Sequence, residues 1–355
     1  MHVSTRSSPP AAPASPHSQH SLPYWRLSGY YFFYFAFIGA FSPYFGLYLQ
    51  SLSFSAWDIG LLMSQMQLMR LFGPYIWGSL ADRAARRVPI VRLAAAASVV
   101  GFSAFFFASD FVALLVAMAL MAFFWSAALP LVETITFDHL RDESAKYSRI
   151  RVWGSVGFIF AVMATGALLD FVPLPALLWV CLGTLLGILL YAVAMPEAPV
   201  HCALGDPMPV AKVLRQRHVK ALLASCFAMS AAHGALYIFY SIHLAEHGYD
   251  TTLIGALWSL GVLAEIVVFM FMSRLMLRFN LRMILLACFV AAVARFLMIG
   301  WGVESLAVIL VAQLLHGLTF GAYHAASIAA INRWFSGRSQ ARGQALYSSL
   351  SFGAG

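Results

Sequence analysis

Ten stretches of this chain are each apolar over close to the ~20 residues that an α-helix needs to cross hydrocarbon, and this recurrence limits the possible folds more than any other feature. They fall at 26–49, 58–80, 89–108, 111–138, 151–170, 175–195, 219–244, 252–273, 283–301 and 305–331. Backbone polar groups in lipid must be satisfied within their own segment, so such runs predict helices. The 355 residues are 61% hydrophobic and 10% charged, against about a quarter charged in a soluble domain. An all-α membrane protein is therefore expected. The net charge of +8 would suggest nucleic acid in a soluble chain, but here the basic residues cluster between apolar runs, so no nucleic-acid partner is expected.

The ends and connections set the organisation. Residues 1–22 are rich in Pro, Ser and Ala with no apolar core and predict a disordered tail rather than a signal peptide. Another apolar stretch starts near Arg342 and reaches Gly355 after about fourteen residues, too few to cross the bilayer, which predicts a chain cut within an eleventh helix. The basic sets Arg83/Arg86/Arg87/Arg92, Arg141/Lys146/Arg149/Arg151, Lys212/Arg215/Arg217/Lys220, Arg274/Arg278/Arg282 and Arg333/Arg338/Arg342 all fall on one side if the chain crosses alternately. The opposite loops hold no Lys or Arg, so the positive-inside rule puts the N-terminus in the cytoplasm. The long polar connection 196–217 predicts a cytoplasmic linker between a bundle over 23–195 and an incomplete one over 218–355.

The two halves repeat. A shift of 195 positions superimposes Gly60 on Gly255, Leu62 on Leu257, Ser64 on Ser259, Arg83 on Arg278 and Arg87 on Arg282. The same shift places Arg70 on Glu265, while Leu277 takes the position of Asp82. A parallel repeat of this kind predicts a ligand held between the halves near the bilayer midplane.

Four charges, Arg70, Glu133, Glu265 and Arg295, lie well inside the apolar runs. Each opposes insertion by roughly 2.5–3.5 kcal/mol, so together they cost about 10 kcal/mol unless they pair or face water. Two readings stay open: a pair of structural ion pairs, or cavity groups that bind an ion and carry a proton. His233, His316 and His324 are candidates either for packing or for proton relay. His243, His247 and Asp138 read as interfacial. Tyr30, Tyr31, Tyr34, Trp125, Tyr237, Tyr240 and Trp258 could line a pocket for a ring-bearing ligand or pack between helices. Cys181, Cys202, Cys226 and Cys288 form no C-x-x-C pair and read as small apolar residues. With no H-E-x-x-H and no suitable G-x-S-x-G, no catalytic residue, cofactor or metal site is expected, and the chain is not read as an enzyme.

The segment GSLADRAARR, residues 78–87, resembles the loop between helices 2 and 3 of the major facilitator superfamily, with Ala85 in place of that family's usual Gly. SRIRVWGSVGF (149–158), WSLGVLAEIVVF in the eighth run and QLLHGLTFGAYHAA in the tenth resemble the 3-phenylpropionate transporters, close in pattern to the lactose permease and nucleoside permease groups. The resemblance covers the chain after residue 23. It implies a fold of two six-helix bundles related by a pseudo-two-fold repeat, here truncated within helix 11. It implies alternating-access, proton-coupled symport of a small aromatic carboxylic acid across the bacterial inner membrane by a monomer. Proton-coupled nucleoside or sugar uptake, and a non-transporting membrane sensor, are the alternatives.

Residue by residue, the resemblance implies substrate binding by Glu133, Arg151 and Arg295, with Glu133 and Arg151 at the sugar permease spacing of eighteen residues, and the charges and histidines inside the apolar runs add Arg70 and His233 as substrate-binding candidates. The resemblance implies a part in proton coupling for His316; Glu265, about a turn from the permease's helix 8 acid, is the candidate proton carrier and His324 a further relay candidate, while Thr319 stands where the sugar permease carries its proton-carrying Glu. It implies a conformational latch of Gly78, Asp82, Arg83 and Arg87, with the acid capping the start of helix 11.

Overall fold

The computed structural model describes residues 22–84, 86–140, 146–198, 213–335 and 339–355, with backbone alone at 82, 339–342 and 345. The tail expected at 1–22, most of the linker and the Asp82 side chain therefore lie outside the described residues. Among the described residues nine helices are long and apolar enough to cross a membrane. The expected span at 58–80 is helical over its whole length, as part of Ala56–Ala84, but is not one of the nine. Gln65, Gln67 and Arg70 along it make it the most polar of the long helices.

The first half contains α1 (Tyr24–Ser51), α2 (Ala56–Ala84), α3 (Val88–Ser103), α4 (Phe111–Trp125), α5 (Ala128–Leu140), α6 (Tyr147–Leu169) and α7 (Ala176–Ala194). The second contains α8 (Arg217–Glu246), α9 (Thr251–Arg278), α10 (Leu281–Trp301), α11 (Leu306–Leu314), α12 (Tyr323–Trp334) and α13 (Ser339–Ser348). The fourth expected span is α4 and α5 with a break at Ser126–Ala127, and the tenth is α11 and α12 joined through a π-helical turn, Gly317–Ala322. A second π turn, Ser349–Ala354, follows α13.

Small residues let the helices approach closely, as membrane packing requires where no hydrophobic drive separates helix from lipid. A Cβ on Gly157 would stand 2.1 Å from the Phe32 carbonyl oxygen, and one on Gly39 would stand 2.6 Å from that of Phe158, so α1 and α6 meet backbone to backbone. Gly166 and Gly255 do the same where α6 crosses α9 beside the Tyr44 hydroxyl. Two apolar cores result. One joins α1–α7 with parts of α8–α11, and the other joins α8, α9, α10, α12 and α13.

The halves are clamped at one end. Asp170, just past α6, accepts bonds from Thr251 N at 2.9 Å, from Thr252 N at 3.2 Å and from both threonine hydroxyls, which sets a carboxylate on the first turn of α9. Asp250 caps the same helix through Leu253 N at 2.7 Å. The Tyr44 hydroxyl donates to the carbonyls of Val162 at 2.8 Å and Thr251 at 3.2 Å, and Gln50 donates to Glu246 at 2.9 Å. The opposite end carries the arginine loops. There Arg92 donates to the carbonyls of Ala192, Val193 and Met195 and satisfies the C-terminus of α7. An arginine that read as orientation alone thus also caps a helix.

Candidate substrate site

Between the halves lies a cavity lined by Gln67 of α2, His233, Gly234 and Tyr237 of α8, Thr319 and Phe320 of the π turn, and His324 of α12. The sequence brings polar groups here because α2 and α8 both carry them at mid-helix, where lipid would reject them.

On the second half, Arg295 is 1% exposed and fully enclosed by neutral acceptors. Its Nε donates to the Ala312 carbonyl at 3.1 Å, Nη1 to Thr319 Oγ1 at 3.3 Å and Nη2 to Gln313 Oε1 at 3.3 Å. His233 Nδ1 lies 2.8 Å from the Met229 carbonyl, so that nitrogen carries the hydrogen and Nε2 is left to accept from Arg295 Nη1 at 3.2 Å. Arg295 stands behind His233 and Thr319, which form the cavity wall.

Three rings stack along the next stretch. His316 and Phe320 are 5.4 Å apart at 16°, and Phe320 and His324 are 5.9 Å apart at 9°. His324 Nδ1 pairs with the Tyr347 hydroxyl at 2.8 Å, whereas buried His316 Nδ1 has no partner among the described residues. Glu265 lies against Gly321, whose added Cβ would meet Glu265 Cγ at 3.1 Å, and no hydrogen bond or ion pair holds its carboxylate among the described residues.

On the first half, the Tyr147 hydroxyl donates to Glu133 Oε1 at 3.2 Å, and the Arg151 guanidinium covers the Phe35 ring at 3.9 Å from its centroid. Arg70 lies 5.2 Å from the Trp125 ring centroid and donates to Gln67 Oε1 at 3.2 Å. Tyr34 stacks on Trp125 at 4.6 Å. Tyr237 is in electrostatic reach of Arg295, Glu265 and Arg70 together, and Glu265 of Arg151. Charged groups from both halves thus lie within electrostatic reach of Tyr237, a residue of the cavity wall, although none of them is itself part of that wall.

The two structural ion pairs that one reading allowed do not form, since the salt bridge among the described residues joins Arg87 to Asp138 instead. Of the latch residues, Gly78 and Arg83 are within the last turns of α2. Arg87 pairs with Asp138 of α5, and its backbone nitrogen donates to Glu197 Oε1 at 2.9 Å. Asp138 thus has a partner that its helix-end position did not reveal. Of the seven candidate aromatics, Tyr30, Tyr31, Tyr34, Trp125 and Tyr240 are buried in packing, and Trp258 donates to Ser241 Oγ at 3.0 Å, while Tyr237 lines the cavity. Gln67, Gln313, Phe320 and Tyr147 were missed. Phe320 had a signal, since it falls midway between His316 and His324 at four-residue steps. Among the described residues no group of three or more His, Cys, Asp or Glu could hold a metal ion.

A two-half helical bundle around a mid-membrane polar cavity is the architecture of a secondary transporter. The MFS_1 like family profile matches residues 24–355, and the chain belongs to that family of major facilitator transporters. It is 27% identical over 336 residues to a protein of Escherichia coli K12 described as "Probable 3-phenylpropionic acid transporter", covering 93% of this chain and 87% of that one. It is 27% identical over 270 residues to the maltose permease of Geobacillus stearothermophilus, covering 74% of this chain and 67% of that one. In fold it superimposes on a crystal structure of a point mutant of the nucleoside transporter NupG with a TM-score of 0.83 at 16% identity, covering 93% and 87% of the two chains. A bacterial homologue of the human lysosomal transporter Spinster, in an inward-facing and unoccupied conformation, gives a TM-score of 0.71 at 18% identity, covering 94% and 81%. The chain is therefore a multi-pass membrane transporter of a small molecule.

Proposed function

We propose that this transporter takes up a small aromatic carboxylic acid, of the 3-phenylpropionate kind, together with a proton. The observation that carries the reading is the charge balance around the cavity. Three guanidinium groups, of Arg70, Arg151 and Arg295, and two carboxylates, of Glu133 and Glu265, lie in the helices around the cavity, so the set with both acids ionised carries one positive charge in excess. A carboxylate substrate offsets that charge, and a neutral sugar or nucleoside does not.

The same count explains coupling. When a monoanion enters with one proton, the charge of the loaded site equals that of the empty one. Both then reorient against the same potential, which costs about 2.3 kcal/mol per charge per 100 mV, so a full turnover moves no net charge. Glu265 is our proton carrier, because its carboxylate has no partner among the described residues. His316 and His324 continue the path along α11 and α12, while Glu133, Arg151, His233 and Arg295 shape the binding wall. Helices in 23–195 and 218–355 are the two bundles that rock about the site, joined by the linker 196–217. The Gly78–Arg87 segment is the latch between them. The arginine loops face the cytoplasm of a bacterial inner membrane, and the unit is a monomer.

A nucleoside or sugar is the second reading, supported by the NupG-like fold and by Glu133, which could accept a ligand hydroxyl beside Tyr147. The test is uptake of radiolabelled 3-phenylpropionate into cells expressing the full-length chain, with and without a protonophore, beside Glu265→Gln. Accumulation that the protonophore and the variant both abolish is expected. No accumulation above vector, with protein present in the membrane, would reject the aromatic acid and advance nucleosides and sugars.

A further inference from the structure

Of the three guanidinium groups around the cavity, two are already engaged. Arg295 has Nε, Nη1 and Nη2 all bonded and sits behind the wall. Arg151 lies on the Phe35 ring and has two acids, Glu133 and Glu265, in electrostatic reach.

Arg70 is different. It is half-buried, and the groups close to it are neutral: Gln67 one turn back on its own helix, the Tyr34 hydroxyl and the Trp125 ring. A guanidinium carries five N–H donors in a planar fork that fits a carboxylate with two parallel bonds. Gln67, which takes one of those donors, is itself a cavity-lining residue, and so is Tyr237, which feels the Arg70 charge. Beside it Trp125 Nε1 is a buried donor without a partner among the described residues. A donor without a partner beside a guanidinium whose partners are all neutral leaves room for an anionic acceptor from outside the chain.

We propose that Arg70 is the seat of the substrate carboxylate, reached from the cavity past Gln67 and Tyr237, and that Arg295 is a positioning residue that fixes His233 without touching substrate. This rests on the aromatic-acid reading above, and it divides labour between arginines that sequence alone left interchangeable.

The experiment is equilibrium binding of 3-phenylpropionate, its neutral analogue 3-phenylpropan-1-ol, uridine and maltose to the purified full-length chain. The proteins are wild type, Arg70→Gln, Arg70→Lys and Arg295→Gln, each run from pH 5 to pH 8. Wild type should prefer the acid to the alcohol by tenfold or more. Arg70→Gln should bring that ratio to about one while leaving alcohol binding alone, and Arg70→Lys should retain part of it, which answers the case in which Arg70→Gln fails to fold. Arg295→Gln should weaken acid and alcohol in equal proportion and move the pH profile, because His233 Nε2 no longer accepts from a cation and the ring loses that anchor. A wild-type ratio in Arg70→Gln and Arg70→Lys, or loss of the ratio in Arg295→Gln, overturns the assignment while the aromatic-acid reading stands. Wild type that binds uridine or maltose and not the acid overturns the aromatic-acid reading, and the Arg70 seat with it.

Discussion

Replacing Asp170 by Asn should open the clamped end of the transporter. In the structure this carboxylate holds four groups of the α9 N-terminus, Thr251 N, Thr252 N and both hydroxyls, and so ties α6 to α9. The substitution keeps one acceptor oxygen, removes the charge, and puts an NH2 donor where the second oxygen accepted from Thr252. A charge at an exposed helix terminus is worth about 0.3–1 kcal/mol, and turning charge-assisted bonds into neutral ones costs about 0.5–1 kcal/mol more. A total of roughly 1–2 kcal/mol moves a two-state equilibrium about 5–30-fold.

The readout is the rate at which a membrane-impermeant maleimide, added on the Asp170 face, labels a single cysteine at Gln67 in a background with the four native cysteines replaced. Faster labelling by about that factor is expected. The pH dependence has a definite sign. Burial pushes the Asp170 carboxyl up, but the bonds from Thr251 and Thr252 outweigh it and hold the group below the usual carboxylate range. The clamp is therefore complete above the ordinary carboxylate pKa and is lost as pH falls through the lowered one. Labelling itself slows as the thiolate fraction falls, so the quantity read at each pH is the ratio of the Asp170→Asn rate to the wild-type rate, which should hold through neutral pH and fall toward one in strong acid. Equal labelling rates in the two proteins would falsify the clamp.

Two further outcomes follow from packing and from the arginine loops. Gly157→Val should lower the melting temperature of the detergent-purified protein by several degrees or prevent folding, because its Cβ would stand 2.1 Å from the Phe32 carbonyl oxygen, and overpacking of this kind costs about 1–3 kcal/mol or more. A double-mutant cycle of Arg87→Ala and Asp138→Ala should return a coupling of about 1 kcal/mol in thermal stability, since both side chains are more than four-fifths buried, at 17% and 12% exposure. Strict additivity would mean that the pair contributes nothing.

The helices were legible in the sequence because a bilayer punishes every unsatisfied backbone group, and twenty apolar residues leave little else to form. The second span was legible as a helix, yet Gln65, Gln67 and Arg70 signalled that it turns toward polar company rather than lipid. The convergence of Arg70 and Glu265 could be anticipated from the repeat, since equivalent helices meet across a pseudo-two-fold axis. What the spacing could not give was the division among arginines. Whether Arg295 faces the cavity or the layer behind depends on the rotation of α10 about its axis, and a helix apolar nearly all round carries no periodic mark of that rotation. Asp138 and Asp170 were hidden for a related reason. Their partners, Arg87 and Thr251, lie 51 and 81 residues away and belong to other helices.

The π turn at Gly317–Ala322 has a consequence for how this chain can vary. In a regular α-helix each residue turns about 100°, so His316 and His324 would diverge by about 80° and their rings would fan apart. The wider turn takes up that angle, and three rings line up as one column. A wide turn holds one residue more than the regular helix needs over the same length. Loss of a single codon between 317 and 322 would thus restore a regular, membrane-length helix in which His324 falls seven steps from His316, about 20° from alignment, and leave everything beyond it facing as before. A relative lacking that codon would keep the same side chains facing the cavity beyond the turn and differ only within it. In this stretch a one-residue deletion is thus a change of length that the helix can absorb.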